Sequence, residues 1–216
     1  MKIVGAINAY QDAPLLALSL PKLRELVDVL ILVDGAYSGF PIYDNSAEST
    51  DGTLELAGKY VDIVVRCPID WTGRPLPWQG EFAKRTQYLR AEENDYYLVC
   101  DADEVVEFSG SEIDRDLLYS KADWQIPIVR HDPPPAEYPI HRLFRHRKSI
   151  CYMGSHEALH VNGTHLHPEK DQFPIFPGLK LRHRQDLRST DRNERKGEYY
   201  RELYHDERPF RLAHKL

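Results

Sequence analysis

Cysteine is scarce in this chain. Only Cys67, Cys100 and Cys151 occur among 216 residues, an odd number at long spacing. They form neither a disulfide framework nor a zinc motif, which points to a reduced, cytoplasmic protein. Long apolar runs are absent, and nothing approaches the roughly 20 residues that cross a bilayer. The opening stretch, Met1 to Asn8, turns polar too soon for a signal peptide. Residues 8–14 hold no glycine, lysine or arginine, so no phosphate-cradling loop follows the first apolar segment. Internal repeats and low-complexity stretches are missing as well. What is present suffices for a packed core: 42% of residues are apolar and 11% aromatic, which excludes wholesale disorder. The length suits one domain.

Charge is unevenly spread. Residues 1–140 carry 12 basic and 24 acidic side chains, net −12, whereas residues 141–216 carry 16 and 10, net +6. The second segment also holds nine of the ten histidines. A basic end can face an anionic ligand, such as a diphosphate or a nucleic acid. Alternatively, the two halves neutralise each other on folding.

The first half alternates in pattern. Residues 2–9 read as a buried strand, and Pro14 suits the first turn of a helix carrying Leu15, Leu16, Leu18, Leu23 and Leu26. Val29 to Val33 is a continuous apolar run, the mark of a strand covered on both faces, and it ends at the turn signal Asp34-Gly35. Ser49-Thr50-Asp51-Gly52-Thr53 offers N-caps for a helix over Leu54 to Tyr60. Val61 to Val65 reads as a strand and residues 66–79 as a loop. A helix over Gly80 to Glu93 and a strand over Tyr96 to Cys100 follow. This order predicts an α/β fold with a mostly parallel sheet, whose ligands bind at the strand C-termini. Asp34, Asp101 and Asp103 are expected to converge there.

The second half is less regular. Ser111 to Tyr119 and Asp191 to Tyr204 read as helices. Asp123 to Arg130, Ile140 to Arg145, Ile150 to Met153 and Leu179 to His183 read as strands. Asn162-Gly163 suits a hairpin turn, and His165-Leu166-His167 places two imidazoles on one strand face without a third metal ligand.

Asp101-Ala102-Asp103-Glu104 is the sharpest chemical signal. Two carboxylates at i and i+2, leaving a strand, can approach one magnesium or manganese ion, which would neutralise a leaving diphosphate. Alternatively, the segment is a charged surface turn. Trp71, Trp78 and Tyr88 offer a sugar-stacking platform or, equally, packing anchors. Residues 66–79 suit a lid.

The chain resembles a family 2 glycosyltransferase of the GT-A fold. The likeness is carried by Ile3 to Asn8, Leu30 to Asp34, Ser49 to Thr53, Phe82-Ala83-Lys84-Arg85 and Tyr97 to Glu104. Arg142-Leu143-Phe144-Arg145, His156-Glu157-Ala158-Leu159 and His183 further resemble the subgroup of lipopolysaccharide-core glucosyltransferases. The resemblance implies a single GT-A domain over 1–216, with a nucleotide-sugar-binding half over 1–107 and a smaller mixed acceptor-side region over 108–216. It implies a nucleotide-sugar donor, UDP by default, and inverting transfer with Mn2+ or Mg2+. Asp34 would hold the donor base or ribose. Asp101 would touch the ribose or metal, Asp103 would ligate the metal, His183 would complete the metal shell or touch the diphosphate, and Lys84 and Arg85 would sit near the phosphates. Glu157 would be the general base. The acceptor class stays open among a glycan, a protein side chain, a lipid-linked sugar and a modified nucleobase. There are two departures. After the first strand the family often has Arg-Asn-Glu, where this chain has Asn8-Ala9-Tyr10-Gln11-Asp12, with Asn8 and Tyr10 as donor-side candidates and Tyr10 stacking on a base instead. The stretch Gly39 to Glu48 is interposed before the Asp-Gly-Thr element.

Two rivals remain at this stage. A sugar nucleotidyltransferase would want the glycine-rich basic loop that residues 8–14 lack. A non-catalytic carbohydrate- or nucleic-acid-binding module would use the basic second half.

Overall fold

The computed structural model describes the chain except residues 41–44, 92–93, 111, 122, 131–134, 154–158, 167–172, 189 and 207–216. The first half runs β1 (Ile3–Ala9), α1 (Ala13–Arg24), β2 (Val29–Asp34), α2 (Thr53–Ala57), β3 (Ile63–Val65), α3 (Glu81–Ala91) and β4 (Tyr96–Asp101). The second runs β5 (Glu104–Phe108), α4 (Arg115–Ser120), β6 (Asp123–Arg130), β7 (Ala136–Arg145), β8 (Ile150–Tyr152), β9 (Leu159–Val161), β10 (Thr164–His165) and β11 (Leu179–His183), ending in α5 (Thr190–Asp206). Eight strands form one sheet in the order β3-β2-β1-β4-β7-β6-β11-β5, and β10-β9-β8 form a second, small one.

Strands β1, β2 and β4 are the continuous apolar runs, and their parallel pairing buries both of their faces. Alternation sends their side chains into two cores. Ile3, Ile7, Leu30, Leu32, Leu98 and Cys100 pack with Leu16, Leu20 and Leu23 of α1. Val4, Ala6, Ile31, Val33, Tyr97 and Val99 pack with Tyr88 and Leu89 of α3. Pro14 occupies the first turn of α1 as its fixed φ favours, and Asp114 caps α4 by accepting from Leu117 N at 3.0 Å. Six of the eight strands of the large sheet run the same way; β7 and β5 are reversed. The expected α/β architecture with a mostly parallel sheet is the one observed. No helix among the described residues is long and apolar enough to cross a membrane.

Three features differ from expectation. Glu104 to Phe108 is a strand, β5, where the sequence pattern placed no element beyond the acidic segment ending at Glu104; it pairs antiparallel with β11, more than seventy positions away. β7 starts at Ala136, so its pairing with β6 extends past the expected Ile140. The aromatic platform does not exist. Tyr88 is fully buried, Trp78 is 8% exposed and donates Nε1–H to Asp34 O at 2.8 Å, and Trp71 stands 95% exposed at the tip of a turn. That turn is built on Asp70, which accepts from Thr72 N, Thr72 Oγ1 and Arg74 N at 2.6–3.0 Å.

The sheet register sets up a site. Asn8 lies opposite both Val33 and Asp101, and Ala9 opposite Asp34, so the ends of β1, β2 and β4 meet at one level. The chain then turns sharply at Gly35, whose φ is +111°. A Cβ there would stand 2.6 Å from Cys67 Cβ and 3.0 Å from Ala47 O. Gly35→Ala is therefore expected to lower the unfolding free energy by about 2–4 kcal/mol through strain and overlap, read from urea denaturation.

Candidate active site

The loop after β1 is held by the segment Ser49 to Thr53. Ser49 Oγ accepts from Gln11 N at 2.8 Å, Asp51 Oδ2 from Ala13 N at 2.9 Å, and Thr53 Oγ1 from Asp12 N at 3.0 Å. Asp51 Oδ1 also accepts from Thr53 N. The short polar side chains expected as helix caps thus satisfy backbone donors of another loop. Tyr10 is fixed from both ends, its N–H donating to Asp12 Oδ2 at 3.0 Å and its hydroxyl to Ser46 O at 2.7 Å.

Asp34 anchors this scaffold from behind. Alternation along the paired strands turns it to the α1 face, away from Asp101. It is fully buried and accepts from Ser49 N at 3.0 Å and Ser49 Oγ at 2.5 Å. Burial pushes its carboxyl up, against the Ser49 hydrogen bonds and the Lys84 charge. The structure places it beneath the cleft rather than in its wall. Lys84, 3% exposed, donates to Ala9 O at 2.7 Å and Gly35 O at 2.6 Å, tying the ends of β1 and β2 together. Burial draws its ammonium down to about 8, although Asp34 and Asp12 oppose this.

Above them opens a cleft of about 70 Å³. Tyr10, Tyr37 and Phe40 make an aromatic wall, with Tyr37 and Phe40 centroids 4.8 Å apart. Tyr199 of α5 packs on that wall, 5.6 Å from Tyr37 and 5.7 Å from Phe40. The polar side comprises Asn8, four acidic residues (Asp12, Glu81, Asp101, Asp103) and four basic ones (Lys84, Arg85, Arg188, Lys196). Of the expected residues, Asn8, Tyr10, Lys84, Arg85, Asp101 and Asp103 therefore share one cleft. His183 borders it through Asp103. Glu157 lies outside the described residues, as does His167.

The charges form two chains. In the first, Arg85 bridges Glu81 at 3.0 Å and Asp101 Oδ1 at 2.7 Å, while Arg142 bridges Asp101 Oδ2 and Glu104 Oε1, both at 2.8 Å. Glu104 Oε2 accepts from Asp101 N at 2.8 Å. Arg142 is 2% exposed and Arg85 3%. In the second, Arg188 reaches Asp103 Oδ2 at 2.6 Å and Asp12 Oδ1 at 3.4 Å. His183 Nε2 lies 3.2 Å and Lys196 Nζ 4.0 Å from the same Asp103 oxygen. Burial disfavours both aspartate charges, but Arg85 and Arg142 hold Asp101 below the usual carboxylate range, and Arg188 with Lys196 holds Asp103 well below it. Burial lowers the His183 imidazole, yet its bond to Asp103 raises it overall.

These pairings bear directly on the expected Mn2+ or Mg2+. A hard cation wants several carboxylate oxygens. Each Asp101 oxygen is committed to a buried guanidinium, and Asp103 Oδ2 is shared among cations. His183 turns its Nε2 to Asp103, and its Nδ1 is buried without a hydrogen-bond partner among the described residues. Among the described residues no group of three or more His, Cys, Asp or Glu side chains is placed to hold a metal. The residues in this arrangement do not fit the ion expected of them.

Sequence reasoning passed over Arg188 and Lys196. The only hint was the net charge of the second half. Arg142, His183, Arg188 and Lys196 of that half meet Asp12, Asp101, Asp103 and Glu104 of the first, so mutual neutralisation accounts for part of the asymmetry.

No protein-family model matches this chain, and no curated protein does. Among solved structures, S. aureus TarS 1-349 in complex with UDP is 18% identical, covering 62% of this chain and 37% of that chain, with a TM-score of 0.42. The mannosyltransferase PcManGT from Pyrobaculum calidifontis, in complex with GDP-Man and Mn2+, is 18% identical, covering 51% of this chain and 29% of that chain, with a TM-score of 0.36. This chain thus spans well under half the length of either. Neither likeness is strong enough to carry a residue role or a ligand across.

The paired carboxylates set an acid limit. The unfolded chain takes up these protons near pH 4. With depressed folded values, the stability they contribute is complete above that pH and is lost as pH falls below it. Unfolding free energies measured from pH 7 to pH 3 should therefore decline, and decline less in Asp101→Asn. At pH 7 that variant leaves Arg85 and Arg142 short of a buried partner, with an expected loss of about 3–5 kcal/mol.

Proposed function

We propose that the chain is a glycosyltransferase that takes a sugar from a nucleotide-diphosphate donor. The observation that carries this reading is the cleft at the C-terminal edge of the parallel strands, with an aromatic wall on one side and four cations set among four carboxylates on the other. Nucleotides need both: a flat apolar surface for the base and positive donors for the phosphates. The edge is where ligands of such sheets bind, and the family 2 resemblance names four of the lining residues, Lys84, Arg85, Asp101 and Asp103. The neutralised half-to-half charge and the absence of a glycine-rich basic loop over residues 8–14 weigh against the two rivals.

In this reading Tyr10 and Phe40 flank the base, while Arg85, Arg188 and Lys196 face the diphosphate. Asn8 and Asp101 stand at the level of the sugar. Glu157 accepts the proton of the acceptor hydroxyl as its oxygen bonds to the anomeric carbon. The bond from that carbon to the diphosphate breaks, and its electron pair leaves on the phosphate oxygen. A single displacement of this kind inverts the anomeric centre. The divalent cation implied by the resemblance is not carried into this reading, because both Asp101 oxygens and Oδ2 of Asp103 are paired with arginines.

Thermal unfolding in the presence of UDP, GDP and their sugars tests the donor class. One of them at 100 times its Kd should stabilise the protein by about 2.7 kcal/mol, and silence from all of them would remove the reading. Glu157→Gln should slow transfer by roughly 10²–10⁴-fold while leaving donor affinity unchanged, measured by steady-state kinetics and calorimetry.

A further inference from the structure

The resemblance puts a divalent metal between Asp103 and the donor diphosphate. In this chain that place is taken by side chains. The geometry points to Arg188, assisted by Lys196, as the group that neutralises the departing diphosphate, so that donor binding needs no divalent metal. This rests on the nucleotide-sugar reading above and specifies its phosphate subsite.

Four observations converge. Arg188 lines the cleft and its side chain is 7% exposed, so its charge works in a low dielectric. Two of its nitrogens are engaged, on Asp103 at 2.6 Å and on Asp12 at a long 3.4 Å, while Nε is buried with no partner among the described residues. A guanidinium is planar and presents its donors as a fork that matches phosphate oxygens. Arg188 therefore keeps Asp103 and still offers donors to an entering anion, gaining most by exchanging the weak Asp12 contact. Second, four acidic and four basic residues line the cleft. Carboxylates are balanced before any ligand enters, and an added dication would have to displace an arginine. Third, the carboxylate pair is divided: Asp101 belongs to Arg85 and Arg142, Asp103 to Arg188 and His183. They do not act as one cation clamp. Fourth, the cation is delivered by an anchored element. Lys196 and Tyr199 lie at i and i+3 on one face of α5, and Tyr199 is docked on Tyr37 and Phe40. That docking holds the helix against the cleft.

The chemical consequence concerns one charge. As the anomeric carbon–oxygen bond breaks, its electron pair adds a negative charge to the diphosphate. Arg188 and Lys196 meet that charge as hydrogen-bonded cations, and Asp103 fixes Arg188 for the task. Asp103 is in this sense a positioning residue.

Calorimetric titration of the full chain with UDP and with GDP, each in EDTA and again in Mn2+, separates the possibilities. The nucleosides uridine and guanosine serve as phosphate-free controls. One diphosphate should bind in EDTA within roughly threefold of its affinity in Mn2+, and Arg188→Ala should weaken it at least roughly tenfold without changing nucleoside affinity. Lys196→Gln should weaken it less, because that nitrogen is farther from Asp103. Should Arg188→Ala fail to fold, as judged by circular dichroism, Arg188→Lys takes its place: a point charge replaces the fork, and selective loss of diphosphate affinity is again expected. A diphosphate that binds only with Mn2+ overturns the inference and leaves the nucleotide reading standing. Metal-free binding that neither Arg188 nor Lys196 variants weaken also overturns it. No binding of either diphosphate in any condition removes the nucleotide reading itself.

Discussion

The Asp101 carboxylate is clamped between two buried guanidiniums, and the rest of the site is arranged around that fact. Two buried arginines need an anion, and an anion at a strand end needs cations once water is withdrawn. Each partner therefore makes the other tolerable. Arg85 comes from α3 and Arg142 from β7, so the clamp joins the helix over one core to the reversed strand beside β4. Glu104 completes it from β5 and also receives the Asp101 amide. One helix, one parallel strand and two reversed strands are pinned at one carboxylate. Such pinning is specific more than it is stabilising: an apolar replacement of the whole cluster would hold the sheet as well, but would not present charge at the cleft.

Much of the architecture was legible in the chain. Apolar runs such as Val29 to Val33 announce strands buried on both faces, and β6 and β11 begin and end where their residues predicted. β5 was not legible. Glu-Val-Val-Glu-Phe follows directly on an acidic triplet, and what makes it a strand is pairing with Leu179 to His183, a contact no local pattern can report. The platform of Trp71, Trp78 and Tyr88 failed for a related reason. Aromatic side chains serve packing and recognition equally well, and only the sheet decides which faces are covered.

The site divides in the same way. Asn8, Asp101 and Asp103 followed from strand ends, because register brings those ends to one level. Asp34 followed as well, but alternation turns its side chain into the core, where it holds Ser49 instead of a ligand. Arg188 carried no local signal at all. It is one of 16 basic residues after position 140, and its meaning depends on a fold that brings it across to Asp12 and Asp103. The halves of opposite net charge were a coarse trace of that meeting.

The stretch between Ala36 and Ala47 leaves the sheet and returns through a narrow neck. Ala36 N donates to Ala47 O at 2.7 Å, and Ser49 is locked onto Asp34 just beyond. Between those points Tyr37 and Phe40 enter the aromatic wall of the cleft and Ser46 O accepts from the Tyr10 hydroxyl, so this stretch is tied to the site. Lengthening such a loop twofold costs only about 0.6 kcal/mol in closure entropy. The length of the loop can thus change at little entropic cost so long as Tyr37, Phe40 and Ser46 keep their contacts, whereas an exchange at any of those three reshapes the cleft wall itself.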